Sequence, residues 1–337
     1  MEERCRAAVL LHEIKGFTRS LLVAFSEGQS PLVLIDRFRI CCADATGNCG
    51  CSSNIPKGKE ILTLHKESHM LCSECYLLFR NFSRKIEQSV VDRAINDICI
   101  LFKCSRHNLN VVSVGNGLVM GWLRFFEAGK KCNCISSPNT AHPIPVHVEE
   151  IKDIVSVAKY ILVVEKESVF QRLANDGFCS INHCIVVTGR GYPDIPTRRF
   201  LRLLIETLHI PVYCLVDCDP YGFDILTTYC FGSMQMAYDA ELLRIPEMNW
   251  LGALPSDSDE YNLPQQCLLP LTIEDTRKIK SMLQRCYLQR EAPHWRLELE
   301  LMMQSGVKFE IEALSVHSLS FLAESYIPSK INGHQME

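Results

Sequence analysis

At 337 residues, 47% of them hydrophobic and 22% charged, the chain has enough apolar material for two domains of ordinary size, which excludes wholesale disorder. Its formal net charge of −4 excludes a protein that coats nucleic acid with a uniformly basic surface, so any such contact must be a local basic groove. The 18 cysteines would suit a disulfide scaffold. The start, MEERCRAAVLLHEIKGF, argues otherwise: it is acidic at Glu2 and Glu3, and Glu13 cuts its apolar run, unlike a secretory signal. No window reaches membrane-span length. The cysteines therefore read as reduced thiols of the cytosol or nucleus, with Cys99, Cys184 and Cys214 packed as small hydrophobes in apolar runs.

Residues 1–60 begin with apolar positions at helical spacing (Leu10, Leu11, Ile14, Phe17, Leu21, Leu22) and pass into a loop rich in Gly, Ser, Asn and Pro. Cys41, Cys42, Cys49 and Cys51 lack the paired spacing of a zinc site and read as a cysteine-rich loop; Cys132 and Cys134 read the same way. From Gln88, the residues Val90, Val91, Ala94, Ile95, Ile98, Leu101 and Phe102 predict a helix, and Ser105 can cap a second, short one. VVSV and LVMGWLRF, separated by Gly115-Asn116-Gly117, predict a hairpin. Helix, short helix and hairpin in that order predict a winged helix-turn-helix over 61–135, a DNA-binding or protein-binding module that is incomplete at its start. Residues 130–150, polar and broken by Pro138, Pro143 and Pro145, read as a linker.

The second half alternates strand and helix. ILVV (161–164), CIVVTG (184–189) and VYCLV (212–216) predict strands; 168–176, 197–208 and the stretch from Phe223 predict helices. That alternation predicts a parallel α/β sheet with a helical extension, over 150–337. Ligands of such sheets bind at the carboxyl ends of the strands. Glu165 follows one strand directly, Asp217 follows another, and Asp219 lies two residues on, before the turn at Pro220 and Gly222. Carboxylates grouped at one sheet edge suit a hard cation such as Mg²⁺, with phosphate and water completing its shell. Between them, TGRGYPDIPTRRF offers Gly189 and Gly191 for a tight turn whose amides could face a phosphate. Arg190, Arg198, Arg199 and Arg202 supply a basic patch.

These residues carry a resemblance. Glu165 with Asp217-Cys218-Asp219-Pro220-Tyr221-Gly222 resembles the Toprim signature of topoisomerases and primases. VVEKESVFQRLAND, VTGRGYPDIPTRRFLR and LVDCDPYGFDIL resemble the family formed by Spo11 and the A-type component of topoisomerase VI, which includes meiotic DNA transesterases. SVVDRAINDICILFKCSRHNLNVV and VGNGLVMGWLRF are similar to its plant members. Similarity runs from about 88 to 330 and again over 17–66.

The resemblance implies a winged helix-turn-helix domain followed by a Toprim-type parallel α/β domain. It implies a DNA transesterase that makes meiotic double-strand breaks through a 5′-phosphotyrosyl link with Mg²⁺. It implies metal ligands Glu165, Asp217 and Asp219, with Gly189, Arg190, Gly191, Arg198 and Arg199 near DNA. It also implies duplex DNA as substrate, a homodimer or a heterodimer with a related A-type chain, a B-type partner that binds ATP, and a nuclear location. No Walker-type phosphate loop occurs in this chain, which fits an ATP site on the B-type partner.

The sequence departs from the family at the nucleophile. Counted from either flank, the family's second tyrosine falls on Phe79 and its first on Leu78, within ECYLLFRNFSRKI (74–86). Tyr76, the one tyrosine before Tyr160, stands three residues away and is the remaining candidate. The alternative is a variant that binds DNA and Mg²⁺ and pairs with a partner without cleaving. A different Toprim enzyme, a primase or nuclease, is disfavoured by the winged-helix order and the length of the matching motifs.

Overall fold

The computed structural model describes residues 2–37, 58–63, 88–109, 111, 113–232 and 243–334. The chain divides into two compact units, one formed by 1–40, 50–112 and 233–240, the other by 41–49, 113–232 and 241–337. The cysteine-rich loop 41–51, Tyr76, Phe79 and the whole of 74–86 lie outside the described residues.

The smaller unit holds helix α1 (Glu2–Ser26), strands β1 (Leu32–Arg37) and β2 (Gly58–Thr63), and helix α2 (Gln88–Leu101). The strands pair antiparallel, Leu32 opposite Thr63. In β1, Val33 and Ile35 are buried while Leu32 and Leu34 are exposed, the period-two alternation of a sheet covered on one face. Phe17 of α1 meets Phe102 edge to face at 5.5 Å between centroids. The buried Arg106 guanidinium reaches back to α2, bonding Asp92 at 3.1 Å and Asn96 at 2.8 Å. Ser105 does act as a cap, its Oγ accepting the Asn108 N–H, but the helix it starts is a single 3₁₀ turn, His107–Leu109.

The larger unit contains a six-stranded sheet and a three-stranded sheet. Their strands are β3 (Leu118–Gly121), β4 (Leu123–Glu127), β5 (Lys130–Asn133), β6 (His142–Pro143), β7 (Ile151–Ser156), β8 (Ile161–Val164), β9 (Ile185–Thr188), β10 (Val212–Leu215) and β11 (Met248–Gly252). The larger sheet runs β11-β10-β8-β9-β3-β6, its first four strands parallel and β3 and β6 antiparallel additions. Every residue of β8, β9 and β10 is buried, which is why these strands read as unbroken apolar runs. The smaller sheet, β5-β4-β7, is antiparallel.

The hairpin predicted across Gly115-Asn116-Gly117 does not form. Residues 113–117 carry no strand, and LVMGWLRF is two strands of two different sheets, broken at Gly121-Trp122. Gly121 takes φ +120°, and a Cβ there would lie 2.8 Å from the Ile185 Cα and closer still to the Cys184 carbonyl, so only glycine permits the switch. Trp122 then anchors the corner, its Nε1 donating to the Cys179 carbonyl at 2.7 Å and its ring stacked on His183. The wing proposed within 61–135 is therefore not built from these strands. Residues 130–150 are also no linker: they supply β5 and β6 and bury Cys134, Ile144 and Val148, with the prolines confined to edge and loop positions.

Helices α3 (Glu167–Asn175) and α4 (Phe178–Asn182) lie between β8 and β9, α5 (Ile195–Leu208) between β9 and β10, and α6 (Pro220–Phe231) after β10. Asp194 caps α5 by accepting the Thr197 N–H at 2.7 Å, and the helix ends at His209 in the left-handed region. The C-terminal extension follows β11 as α7 (Ile273–Leu283), α8 (Pro293–Ser305) and α9 (Ile327–His334). A Thr272–Asp275 capping box opens α7, and Pro293 begins α8.

Candidate metal centre at the carboxyl edge of the sheet

Strands β8 and β10 are neighbours, with Val164 opposite Leu215. Their carboxyl ends therefore deliver Glu165 and Asp217 side by side, as the sequence predicted. The Asp217 N–H donates to Glu165 Oε2 at 2.8 Å. Asp217 itself is 7% exposed. Its Oδ1 accepts the Ile311 N–H at 2.9 Å, and its Oδ2 pairs with Lys166 Nζ at 2.9 Å. Asp219 caps α6, its Oδ1 accepting the N–H groups of Tyr221 at 2.8 Å and Gly222 at 2.7 Å. Gly222 is required by the crowding: a Cβ on it would lie 3.1 Å from Glu165 Oε2 and closer still to the Asp217 carbonyl.

The electrostatics of the edge follow from burial and like charge. Burial, reinforced by Asp217, lifts the Glu165 carboxyl from its ordinary 4.5 to about 7. Burial also raises Asp217, against the pull of the Ile311 N–H and Lys166. For Lys166, burial works against the charge, but its bonds to Glu312 and Asp217 prevail and hold the ammonium above its usual range. That ammonium is shared with Glu310 at 3.1 Å and Glu312 at 2.9 Å.

The three candidate acids sit together but are not gathered to within 4.8 Å of one another. Each is committed to protein donors. The residues nonetheless fit a hard cation. Glu165 Oε1 and Asp219 Oδ2 accept no hydrogen bond from the described residues, and a positive charge already lies on Asp217 in the form of Lys166.

The loop after β9 is fastened to the loop after β8. Thr188 Oγ1 donates to the Glu165 carbonyl at 3.2 Å, and Gly191 N–H donates to the same oxygen at 2.9 Å. Arg190 N–H donates to Thr188 Oγ1 at 3.1 Å. The amides of Arg190 and Gly191 are thus already used inside the protein, which removes them as the phosphate cradle the sequence suggested. Gly189 is needed for close packing, since a Cβ there would stand 2.6 Å from the Tyr229 hydroxyl.

The arginines separate into different roles. Arg190 is at the surface, its guanidinium 2.8 Å from Glu167. Arg199 is partly buried and pairs with Glu149. Arg202 bonds Glu206 at 2.6 Å and Glu247 at 3.1 Å. Arg198 is 2% exposed, with Nε donating to the Leu243 carbonyl at 3.2 Å. A guanidinium enclosed in this way cannot meet a DNA phosphate without opening the fold, so its place among the DNA contacts is corrected to a packing role.

Sequence reasoning missed Lys166 and the segment 309–312. That segment joins the site through the Cys218–Phe309 bridge, the Ile311 amide and the Glu310 and Glu312 carboxylates. A lysine beside a strand-end glutamate was the one available signal.

Residues 160–331 match the profile of the Toprim domain shared by Spo11 and the A-type component of topoisomerase 6. The chain is 63% identical to the meiotic recombination protein SPO11-1 of Arabidopsis thaliana, over 96% of its own length and 95% of that protein's. It is 43% identical to the meiotic recombination protein SPO11 of Homo sapiens, over 72% of this chain and 62% of that one. To the A-type component of DNA topoisomerase 6 from Arabidopsis thaliana it is 40% identical, over 73% and 57% respectively.

Proposed function

Because the chain belongs to the Spo11 and topoisomerase 6 A-type family, we propose that it serves meiotic recombination in the nucleus as the A-type component of a DNA-breaking transesterase. The observation that carries this reading is the pairing of Glu165 and Asp217 at adjacent strand ends, with Asp219 capping the next helix, inside the Toprim-matching region. Glu165, Asp217 and Asp219 would hold Mg²⁺. When bound, the ion would offset charge on a DNA phosphate attacked by a tyrosine hydroxyl, which forms a 5′-phosphotyrosyl link and releases a 3′-hydroxyl.

The chain's own groups prepare that site. Lys166 pairs with Asp217 Oδ2 and aims it, opposing the upward push of burial on that carboxyl. The Asp217 amide orients Glu165, and the loop carrying Gly189, Arg190 and Gly191 is locked against the same strand end. Arg190 and Arg199 are the basic side chains proposed to face duplex DNA. The proposed assembly is a dimer of A-type chains with a B-type, ATP-binding partner. No helix among the described residues is long and apolar enough to cross a membrane.

A second reading is favoured by one observation: Phe79 stands where the family places its tyrosine, and a phenyl ring has no hydroxyl to attack phosphorus. In that reading the chain binds DNA and Mg²⁺ as the non-cleaving member of a pair. The test is a trapping assay with A-type and B-type partners, labelled duplex and Mg²⁺, read as covalent adducts on denaturing gels. An adduct on this chain that disappears in Tyr76→Phe supports cleavage by Tyr76. No adduct on this chain, with one appearing once Tyr-Tyr replaces Leu78-Phe79, supports the non-cleaving reading. No adduct even then, with Mg²⁺ bound and partners present, defeats the transesterase assignment.

A further inference from the structure

In sequence, Cys132 and Cys134 form a Cys-x-Cys pair, and their nearest histidine, His142, lies eight positions beyond Cys134. The fold brings the three together. Cys132 lies in β5, on an edge of the three-stranded sheet. Cys134 begins the turn that follows and is fully buried. His142 lies in β6, the outer strand of the six-stranded sheet, paired with Val119. One ligand atom from each lies within 4.8 Å of the others, and among the described residues no other set of three His, Cys, Asp or Glu side chains meets that spacing.

Two details of the cluster distinguish it from a chance meeting of thiols. The Cys132 and Cys134 sulfurs are 4.0 Å apart. That is far beyond a disulfide bond, about 2.0 Å. It is close to the separation of two thiolates on one tetrahedral zinc, about 3.8 Å for bonds of about 2.3 Å. The second detail is His142 Nε2, a buried nitrogen that meets no hydrogen-bond partner among the described residues. A buried imidazole nitrogen normally has one, because leaving it unmade forfeits the hydrogen bond it would make to water.

We propose that Cys132, Cys134 and His142 form a zinc site distinct from the acidic edge, with two thiolates, one neutral imidazole bonded through Nε2, and water in the fourth position. Binding releases the two thiol protons to solvent, with no change of oxidation state. Sulfur and imidazole ligands select zinc over Mg²⁺, which takes oxygen donors, so the two sites do not compete for the same ion. The site ties β5 of the smaller sheet to β6 at the rim of the larger one and closes the loop 134–142.

The test uses the full-length chain, purified without added chelator, with zinc measured by elemental analysis. About one tightly held zinc per chain is expected. It should persist in the Glu165→Gln/Asp219→Asn background, which separates it from a stray ion on the acids. After chelation, titration with Co²⁺ should give a thiolate-to-cobalt charge-transfer band in the near ultraviolet and the visible bands of a tetrahedral ion. Cys132→Ser should diminish that band, and Cys132→Ser/Cys134→Ser should abolish it with the zinc. His142→Ala should lose zinc, and His142→Cys should retain it, so a failure of one variant to fold leaves the others decisive. Zinc removal should lower the thermal midpoint of the wild-type chain and leave that of the double-serine variant unchanged. Absence of zinc and of the charge-transfer band in folded protein overturns the proposal. So does zinc that survives the double-serine change, or a Cys132–Cys134 disulfide in protein isolated without reductant.

Discussion

The peptide N–H of Asp217 donates to Oε2 of Glu165 at 2.8 Å, so the backbone of one candidate metal ligand aims the side chain of the other. Glu165→Gln keeps an oxygen that can accept that bond while removing the charge. The variant is expected to fold with a near-native thermal midpoint and to bind Mn²⁺ or Mg²⁺ at least about 10–100-fold more weakly, since loss of even an outer partner of a metal ligand costs that much. Isothermal titration calorimetry with Mn²⁺ checks this. Undiminished affinity in folded protein would remove Glu165 from the ligand set.

The same carboxyl makes the site pH-sensitive. In the folded chain Glu165 holds its proton up to about 7, against 4.5 ordinarily, so between these values the native state binds more protons than the unfolded one. Stability from this group is therefore greatest at the acid end of that window and falls as pH rises through it. Asp217 shifts in the same direction. A divalent cation, which needs the ionised form, should bind more tightly as pH climbs through about 7, releasing up to one proton from Glu165. Calorimetry in buffers of different ionisation enthalpy measures the proton count. A count near zero at neutral pH would contradict the shift.

Lys166→Met leaves Asp217 and its acidic neighbours without their shared ammonium. The Lys166 and Asp217 side chains are 25% and 9% exposed, so the pair is partly screened and the loss is expected at about 1–3 kcal/mol, below that of a fully buried pair. Mg²⁺ should recover more stability in this variant than in wild type. Denaturation with and without Mg²⁺ gives the comparison, and equal increments would mean that the ion does not meet Asp217.

Gly222→Ala places a methyl 3.1 Å from Glu165 Oε2 and closer still to the Asp217 carbonyl. Backbone must shift to admit it, at a cost of about 1–3 kcal/mol. Divalent affinity should fall together with stability, whereas Gly306→Ala, beside open space, should reduce stability alone. Thermal melts and Mn²⁺ calorimetry on the two variants make the comparison.

Arg190→Ala and Arg198→Ala should behave oppositely. Arg190 is exposed, and its loss is expected to weaken duplex binding across sequences and to reduce the salt slope by about one, with little change in stability. Arg198 is enclosed, and its loss should lower the thermal midpoint while leaving the salt slope of the folded fraction intact. Fluorescence anisotropy over a salt series separates the two.

The acidic edge was legible in the sequence because Glu165, Asp217 and Asp219 each follow a short apolar strand closely, and buried parallel strands advertise themselves as runs such as ILVV and VYCL. Other features depended on partners far along the chain. Lys166 looks like any solvated lysine until Glu310 and Glu312 arrive, and Arg198 looks exposed until Leu243 covers it. LVMGWLRF reads as one strand because nothing local shows that Gly121 must pass against the Cys184 carbonyl. Cys132 and Cys134 lack a zinc spacing in sequence because their histidine comes from a different sheet.

Asp217 takes a hydrogen bond from Ile311, 94 residues further along, and Lys166 is held by Glu312. The order of synthesis then matters. While the ribosome is still translating the stretch between Asp219 and Phe309, all three acids exist but lack the Ile311 amide that Asp217 accepts and the carboxylates that hold Lys166 in place. A message cut short between those two points yields a polypeptide with every ligand and no finished centre. Synthesis through Glu312 is thus itself a condition for assembling the centre, in a protein whose proposed work is to break chromosomes.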